Sequence, residues 1–232
     1  MVKNIELKGF NNYQDKIRIV HLSDLHLGLI YQPNYLDNLT KKVNNLQADV
    51  VVISGDLFDG NDLKIKKFIP ALKGFDDPVI FVPGNHDHYI DTDLLSTSIS
   101  EAGIIELKNE AYNIKGVEFI GFDYLGDKDS GIKRDIDNLS LDKEGLRVVI
   151  NHVPVDQAEA YALNTDLMLS GHAHRGQISP FSIVVRYVYN KFSYGLASYE
   201  DMITYTSSGV GTWGPPVRTP FPGEIVVFDI NN

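Results

Sequence analysis

Residues 50–53 read Val-Val-Val-Ile and run directly into Ser54-Gly55-Asp56. A strand with one wet face alternates apolar and polar residues. An unbroken β-branched run suits a strand covered on both faces, as in the sheet of an α/β protein. The pattern recurs along the chain. Ile17 to Leu22 stops at Ser23-Asp24-Leu25-His26, and Pro78 to Val82 stops at Pro83-Gly84-Asn85-His86-Asp87-His88. Leu146 to Ile150 runs into Asn151-His152, and Leu167 to Leu169 into Ser170-Gly171-His172-Ala173-His174.

Helical spacing separates the early strands. Leu36, Leu39, Val43 and Leu46 predict a helix over 34–47, and a second is expected over 62–73, interrupted or ended near Pro70. A third carries Leu94, Leu95 and Ile99, with Thr92 or Asp93 as its cap and Gly103 at its end. Residues 2–8 read as a first strand. From 104 onward short strands dominate, at 104–107, 112–114 and 117–122. A polar stretch over 126–145 reads as a loop with a helical turn or more. A helix around 155–163 and strands at 202–206 and 225–230 complete the chain. A β-α-β-α-β first half and a strand-rich second half predict an α/β fold of two sheets packed face to face with helices outside. No repeat, linker or low-complexity tract divides residues 1–232, so one domain is expected, and 43% hydrophobic content suffices for its core.

Ligand sites in α/β folds gather at the carboxyl ends of strands. If these strands are neighbours, Asp24, His26, Asp56, Asn85, His152, His172 and His174 meet in one place. Carboxylate, amide oxygen and imidazole without sulfur suit Mn²⁺, Fe or Zn²⁺, and are too rich in nitrogen for Ca²⁺ or Mg²⁺ as first choice. Seven ligands exceed the needs of one ion, whereas two ions bridged by a carboxylate would use them all. Glycines before Asp56, Asn85 and His172 let the backbone turn sharply beside the metals. Of the other histidines, His21 lies inside its strand and His88 suits a rim contact.

There are no cysteines, which excludes disulfides, thiolate zinc sites and a cysteine nucleophile. Lys and Arg number 21 against 31 Asp and Glu, a formal net charge of −10. This balance lacks the basic track that nucleic acid prefers, so no nucleic-acid partner is expected. A small anionic substrate would be repelled unless local cations overcame the field, which a metal centre does. The N-terminus has no apolar leader and no run reaches the ~18 residues of a membrane helix, so a cytoplasmic location is expected.

Taken together, Asp24-x-His26, Gly55-Asp56-x-x-Asp59, Gly84-Asn85-His86-Asp87, His152 and Gly171-His172-x-His174 resemble the calcineurin-like metallophosphoesterase superfamily over residues 20–175. The resemblance implies a four-layer α/β/β/α sandwich, two mixed sheets flanked by helices. It implies hydrolysis of a phosphodiester or pyrophosphate by a metal-bridging hydroxide. It assigns Asp24, His26 and His174 to one divalent ion, Asn85, His152 and His172 to the other, and Asp56 to both. His86 would be the catalytic non-ligand histidine, oriented by Asp59, whose carboxylate is expected to favour the imidazolium.

The segments 171–178, GHAHRGQI, and 204–217, TYTSSGVGTWGPPV, resemble the bacterial YkuE/YaeI-like branch, some members of which cleave UDP-2,3-diacylglucosamine. Relatives there often carry an N-terminal membrane or export segment, which is not found here. They typically have Thr and Gly where this chain has Ala173 and Arg175. Arg175 and Arg218 are either phosphate contacts or ordinary loop arginines. The aromatic and aliphatic stretch 181–199 is either an apolar lip for an acyl chain or a membrane surface, or a segment packed over a sheet. Trp213-Gly214-Pro215-Pro216 reads as a rigid turn. The expected substrate is a small or lipid-linked phosphoester, with no protein partner. A nuclease or cyclic-nucleotide phosphodiesterase of the same fold, and a non-catalytic metal-bound scaffold, are the alternatives.

Overall fold

A computed structural model describes residues 1–10, 13–60, 62–126, 132, 139, 141 and 145–231. Most of the loop expected over 126–145 lies outside them. The first sheet contains β1 (Val2–Lys8), β2 (Ile17–Leu22), β3 (Val50–Ser54), β4 (Val79–Val82), β5 (Ile105–Glu106) and β12 (Ile225–Asn231), in the order β1-β12-β2-β3-β4-β5. The second contains β6 (Glu110–Ile114), β7 (Val117–Gly121), β8 (Leu146–Ile150), β9 (Leu167–Ser170), β10 (Gly195–Tyr199) and β11 (Met202–Thr206), in the order β10-β11-β9-β8-β7-β6. Both sheets are mixed: β2 through β5 run parallel, as do β7, β8, β9 and β11, while β12 is antiparallel to β2, β6 to β7 and β10 to β11.

The run at 50–53 shows why two sheets and outer helices are needed. Val50 and Val52 point between the sheets, where they share a core with Ile19, Ile80, Phe119, Val148, Leu169 and Phe228. Val51 and Ile53 point the other way, onto Leu36, Leu39 and Val43 of α1 (Pro33–Asn44) and onto Leu95 and Ile99 of α3 (Thr92–Glu101). Behind the second sheet, Val149 and Met168 pack with Ala160 of α4 (Gln157–Ala162) and with Leu163. The layers are therefore α/β/β/α. Burying each such side chain contributes roughly 1.5–3 kcal/mol before chain entropy is subtracted.

Several local expectations shift. The helix over 62–73 is a 3-10 segment, Asp62–Phe68, running into the short α2 (Ile69–Leu72). Pro70 sits in the first turn of α2, where its missing N–H costs nothing, so it starts a helix rather than ending one. The α3 cap is Asp91, one residue before Thr92, and its carboxylate accepts from the Leu94 N–H at 2.9 Å. Over 181–199 the sheet-packed alternative fails in its first half: Phe181–Tyr189 forms a helix, α5, with no buried residue, and only 195–199 joins a sheet as β10.

The second sheet holds one ion pair deep in its register. Glu118 and Arg147 are aligned on β7 and β8, both are buried, and Arg147 Nε donates to Glu118 Oε2 at 2.6 Å. Arg147 Nη1 also donates to the Leu163 carbonyl, and removing Glu118 takes the paired carboxylate from a buried guanidinium. Glu118→Ala is expected to lower stability by ~3 kcal/mol, read as a lower urea midpoint at unchanged slope.

Candidate metal centre

Because β2, β3 and β4 are parallel, and β8, β9 and β11 are parallel across the gap, the loops after all six strands open at one end of the sandwich. Their backbone is unusual. Asp24, His26, Asp56, His172 and His174 all have positive φ, between 46° and 64°. A non-glycine residue there costs about 1–2 kcal/mol, a strain that clusters where side-chain direction matters more than local stability.

The directions converge. Asp24 Oδ1 lies 3.3 Å from His174 Nε2, and His174 Nε2 lies 3.0 Å from His26 Nε2. Asn85 Oδ1 lies 3.1 Å from His152 Nε2 and 2.9 Å from His172 Nδ1. Asp56 stands between these two groups. Its Oδ2 is 3.3 Å from His152 Nε2 and 3.7 Å from His26 Nε2, and its Oδ1 accepts from the His86 N–H at 2.9 Å. Asp24 reaches both groups, because its oxygens also stand with Asp56 and His152 within one ligand-sized cluster.

The donor set fits divalent cations. Asp24 and Asp56 are buried to 0% and 2% exposure, with no lysine or arginine paired to either among the described residues. Buried carboxylates need compensating positive charge, and clustered imidazole nitrogens supply it poorly unless they share a cation. The ring nitrogens are oriented for ligation: His152 Nδ1 donates to the Ser54 carbonyl at 2.8 Å, which leaves Nε2 facing Asp56 and Asn85. Asp59 Oδ1 lies 3.4 Å from His26 Nδ1 and equally 3.4 Å from His86 Nδ1, so one carboxylate serves a candidate ligand and the candidate catalytic histidine.

Charge and burial set the protonation states. Burial drives His174 down to about 3, despite Asp24. Burial also opposes the charged form of His152, but Asp56 and Asp24 prevail and raise it to about 9. Asp56 is held low against burial by His152 and His26. Asp59 does favour the charged form of His86, as expected, but it does not decide the net shift. Burial lowers His86, and His26 and His152 add to that effect, while Asp56 and Asp59 only partly offset it.

The two arginines for which a phosphate contact and a loop role stood as alternatives have partners within the protein. The Arg175 guanidinium is sandwiched between the Tyr194 and Phe221 rings, with centroids at 4.1 and 3.6 Å. Arg218 donates through Nε to the Gly211 carbonyl at 3.1 Å, and its Nη2 lies 3.3 Å from His174 Nδ1, so it braces the loop behind a ligand. His21 is fully buried with Nε2 2.7 Å from Ser54 Oγ, and His88 pairs with Asp123 at 2.9 Å on the rim.

Sequence reasoning gave no role to Asp87. It is buried, and its carboxylate accepts from the N–H groups of Leu57, Phe58 and Gly84, tying the Asp56 loop to the Asn85 loop. Its place in Asn85-His86-Asp87-His88 was the available signal. The loop after β11 was also undervalued. Val210 and Gly211 donate to the carbonyls of Ser23 and Asp24 at 2.8 and 2.9 Å, so the tail supports the first ligand loop.

Asp56, Asn85, His86, His172 and His174 form one wall of a cavity of about 550 Å³. The facing wall is largely apolar, built from Ile178, Phe181, Val185, Trp213 and Pro215. Trp213 is held there by Gln177, whose amide exchanges two 2.8 Å hydrogen bonds with the Trp213 backbone.

Gly171 permits the closest approach: a Cβ there would overlap Ser23 Oγ and stand 2.6 Å from Asp24 Oδ2. Gly171→Ala is therefore expected to weaken metal binding by at least about tenfold while the folded circular dichroism spectrum is retained. Asp56 and Asp24 favour the protonated form of His152 at neutral pH, so metal loading is expected to expel a proton. Calorimetric titration with Mn²⁺ in buffers of different ionisation enthalpy should show release of about one proton per chain, and affinity should rise as pH increases from 7 towards 9. A buffer-independent enthalpy would contradict this.

Comparison with known proteins agrees with this geometry. The chain is 31% identical to an uncharacterized metallophosphoesterase of Helicobacter pylori J99, over 92% of this chain and 60% of that protein. It thus spans about six tenths of the length of that relative. It is 30% identical to the uncharacterized metallophosphoesterase YkoQ of Bacillus subtilis, over 93% of this chain and 84% of YkoQ. The fold is similar to the crystal structure of TT1561 of Thermus thermophilus, with a TM-score of 0.56 at 10% identity over 84% of this chain and 90% of that one. The calcineurin-like phosphoesterase family model matches residues 17–176, and the chain belongs to that family.

Proposed function

We propose that this chain hydrolyses a phosphodiester or pyrophosphate bond, using two divalent cations, on a substrate with an apolar part. The observation that carries the reading is the position of Asp56. Its carboxylate lies between the His26/His174 group and the His152/Asn85/His172 group, on the wall of a cavity whose opposite side is apolar. When bound, the ions would supply a water of lowered pKa and positive charge beside the phosphoryl oxygens. Mn²⁺, Fe and Zn²⁺ suit the donors; the rest falls to the protein.

Asp24, His26 and His174 would hold one ion, and Asn85, His152 and His172 the other, with Asp56 shared. His86 holds no ion in this reading. Its side chain is 16% exposed and lines the cavity, and Asp59 engages Nδ1, so Nε2 is the nitrogen left to meet substrate. Because Nδ1 faces the Asp59 carboxylate, an N–H at Nε2 requires the protonated ring, which the negative charge of a bound phosphoryl group would favour; in that form it hydrogen-bonds a phosphoryl or leaving-group oxygen as charge develops on it. Asp87 and Arg218 act behind the ligands as positioning residues. The facing wall of Phe181, Val185 and Trp213 offers apolar contact and almost no hydrogen-bonding partners, which favours a lipid-linked phosphoester over a bare nucleotide. The likeness of 171–178 and 204–217 to YkuE/YaeI-like enzymes agrees with a nucleotide-linked lipid anhydride as the first compound to try. No helix among the described residues is long and apolar enough to cross a membrane. A cytoplasmic enzyme peripheral to the membrane is the setting we propose.

The test is a substrate panel with and without Mn²⁺: bis-p-nitrophenyl phosphate, phosphomonoesters, cyclic nucleotides, nucleotide-sugar anhydrides and phospholipids. Metal-dependent turnover of a diester or anhydride is expected. A metal-replete protein inert on every compound would instead indicate a scaffold. Asp56→Asn should lose both metal content and turnover. His86→Ala should lower turnover ~10²–10⁴-fold with metal content unchanged; loss of metal from that variant would refute the role given to His86.

A further inference from the structure

Helix α5 inverts the usual order of a surface helix. Its inward positions are Ser182, Val185 and Tyr189, each partly buried; Val185 lines the cavity and the Tyr189 ring lies 6.2 Å from that of His172. Its outward stripe is Ile183, Val184, Tyr187 and Val188, spaced i, i+1, i+4, i+5 and carrying no charge. Ile183 is 71% exposed and Tyr187 85%. A soluble surface would place charge there. This stripe points away from the cavity, so a ligand filling the cavity would leave it uncovered.

The stripe has neighbours of the same kind. Trp213, 58% exposed, shares the cavity rim with Phe181 at the start of α5. Leu29 and Ile30 are exposed at the tip of the loop after β2, which is tied to the Trp213 turn by a 2.8 Å contact between Tyr31 Oη and Thr212 Oγ1. Charge is distributed to match. The chain carries 31 acidic residues, yet none occurs from Leu167 to Tyr199 or from Met202 to Gly223. Arg186 and Lys191 are exposed on α5 and just beyond it. A protein of net charge −10 thus carries no carboxylate in the two segments that present α5 and the Trp213 turn.

We propose that α5 is a membrane-docking helix, which lies in the headgroup region of an anionic bilayer and seats the cavity mouth on the lipid surface. Its nine residues are far too few to span a bilayer. An apolar stripe flanked by Arg and Lys is the composition of a helix lying in the interface plane. A second copy of this chain fits less well, because a symmetric contact across α5 would set Arg186 and Lys191 near their own counterparts without carboxylates to pair them.

The test reads binding without turnover, so it stands or falls separately from the proposed hydrolysis. The purified chain is sedimented with sucrose-loaded vesicles of phosphatidylcholine alone, or with about 30% phosphatidylglycerol. The double variant Ile183→Ser/Tyr187→Ser and the variant Arg186→Gln/Lys191→Gln are run beside it. Wild type should pellet with the anionic vesicles, and less so in about 0.5 M salt. The serine variant should partition at least about tenfold less, with its circular dichroism unchanged. The glutamine variant should lose most of the preference for anionic lipid. Wild type that stays in the supernatant, or a serine variant that pellets equally, would overturn the proposal. So would a wild-type dimer in sedimentation velocity that the serine variant dissolves.

Discussion

Two carboxylates, Asp24 and Asp56, are buried at the open end of a two-sheet sandwich, and no lysine or arginine among the described residues is paired to either. The local design follows from that constraint. Uncompensated charge in a low-dielectric setting is costly, and here the compensating groups are imidazoles whose free nitrogens converge on common points. Such an arrangement is stable when cations complete it. The sandwich supplies the rigidity. Parallel strands with both faces covered bring six loop origins to one end, and left-handed backbone at five of the candidate ligand residues turns the side chains inward.

Support comes from behind as much as from the ligands. Asp87 ties two loops together through three backbone N–H groups. Asp59 touches a candidate ligand and the candidate catalytic histidine at the same distance. The tail after β11 donates to the carbonyls of Ser23 and Asp24, and Arg218 closes the same loop against His174. Opposite this polar wall stands an apolar one from α5 and the Trp213 turn. The cavity therefore sets the candidate metal ligands opposite an apolar wall, and the outer side of α5 extends that apolar character to the protein surface.

Much of this was readable from the chain. Asp, Asn and His after β-branched runs are legible because each departs from what a buried strand end tolerates, and the departures share one chemistry. The two-sided burial of Val50 to Ile53 was legible for the same reason. Other features were not. Helix α5 hides because Ile183, Val184, Val185 and Val188 are strand formers, and because its apolar stripe is the exposed one, so the period does not mark a face turned to the core. The stacking of Arg175 on Phe221 depends on tertiary contact across 46 positions. The α3 cap was displaced by one residue because Asp91, Thr92 and Asp93 can all cap a helix. The pull of Asp59 towards a charged His86 shows in the motif, whereas the burial that outweighs it does not.

The central claim is that Asp56 is shared, so that the two ligand groups form one dinuclear centre. Electron paramagnetic resonance of protein reconstituted with Mn²⁺, read beside metal analysis, tests it most directly. The account predicts two ions per chain at saturation and a spin-coupled spectrum. A single ion per chain, or two ions giving only the signals of isolated Mn²⁺, would contradict it.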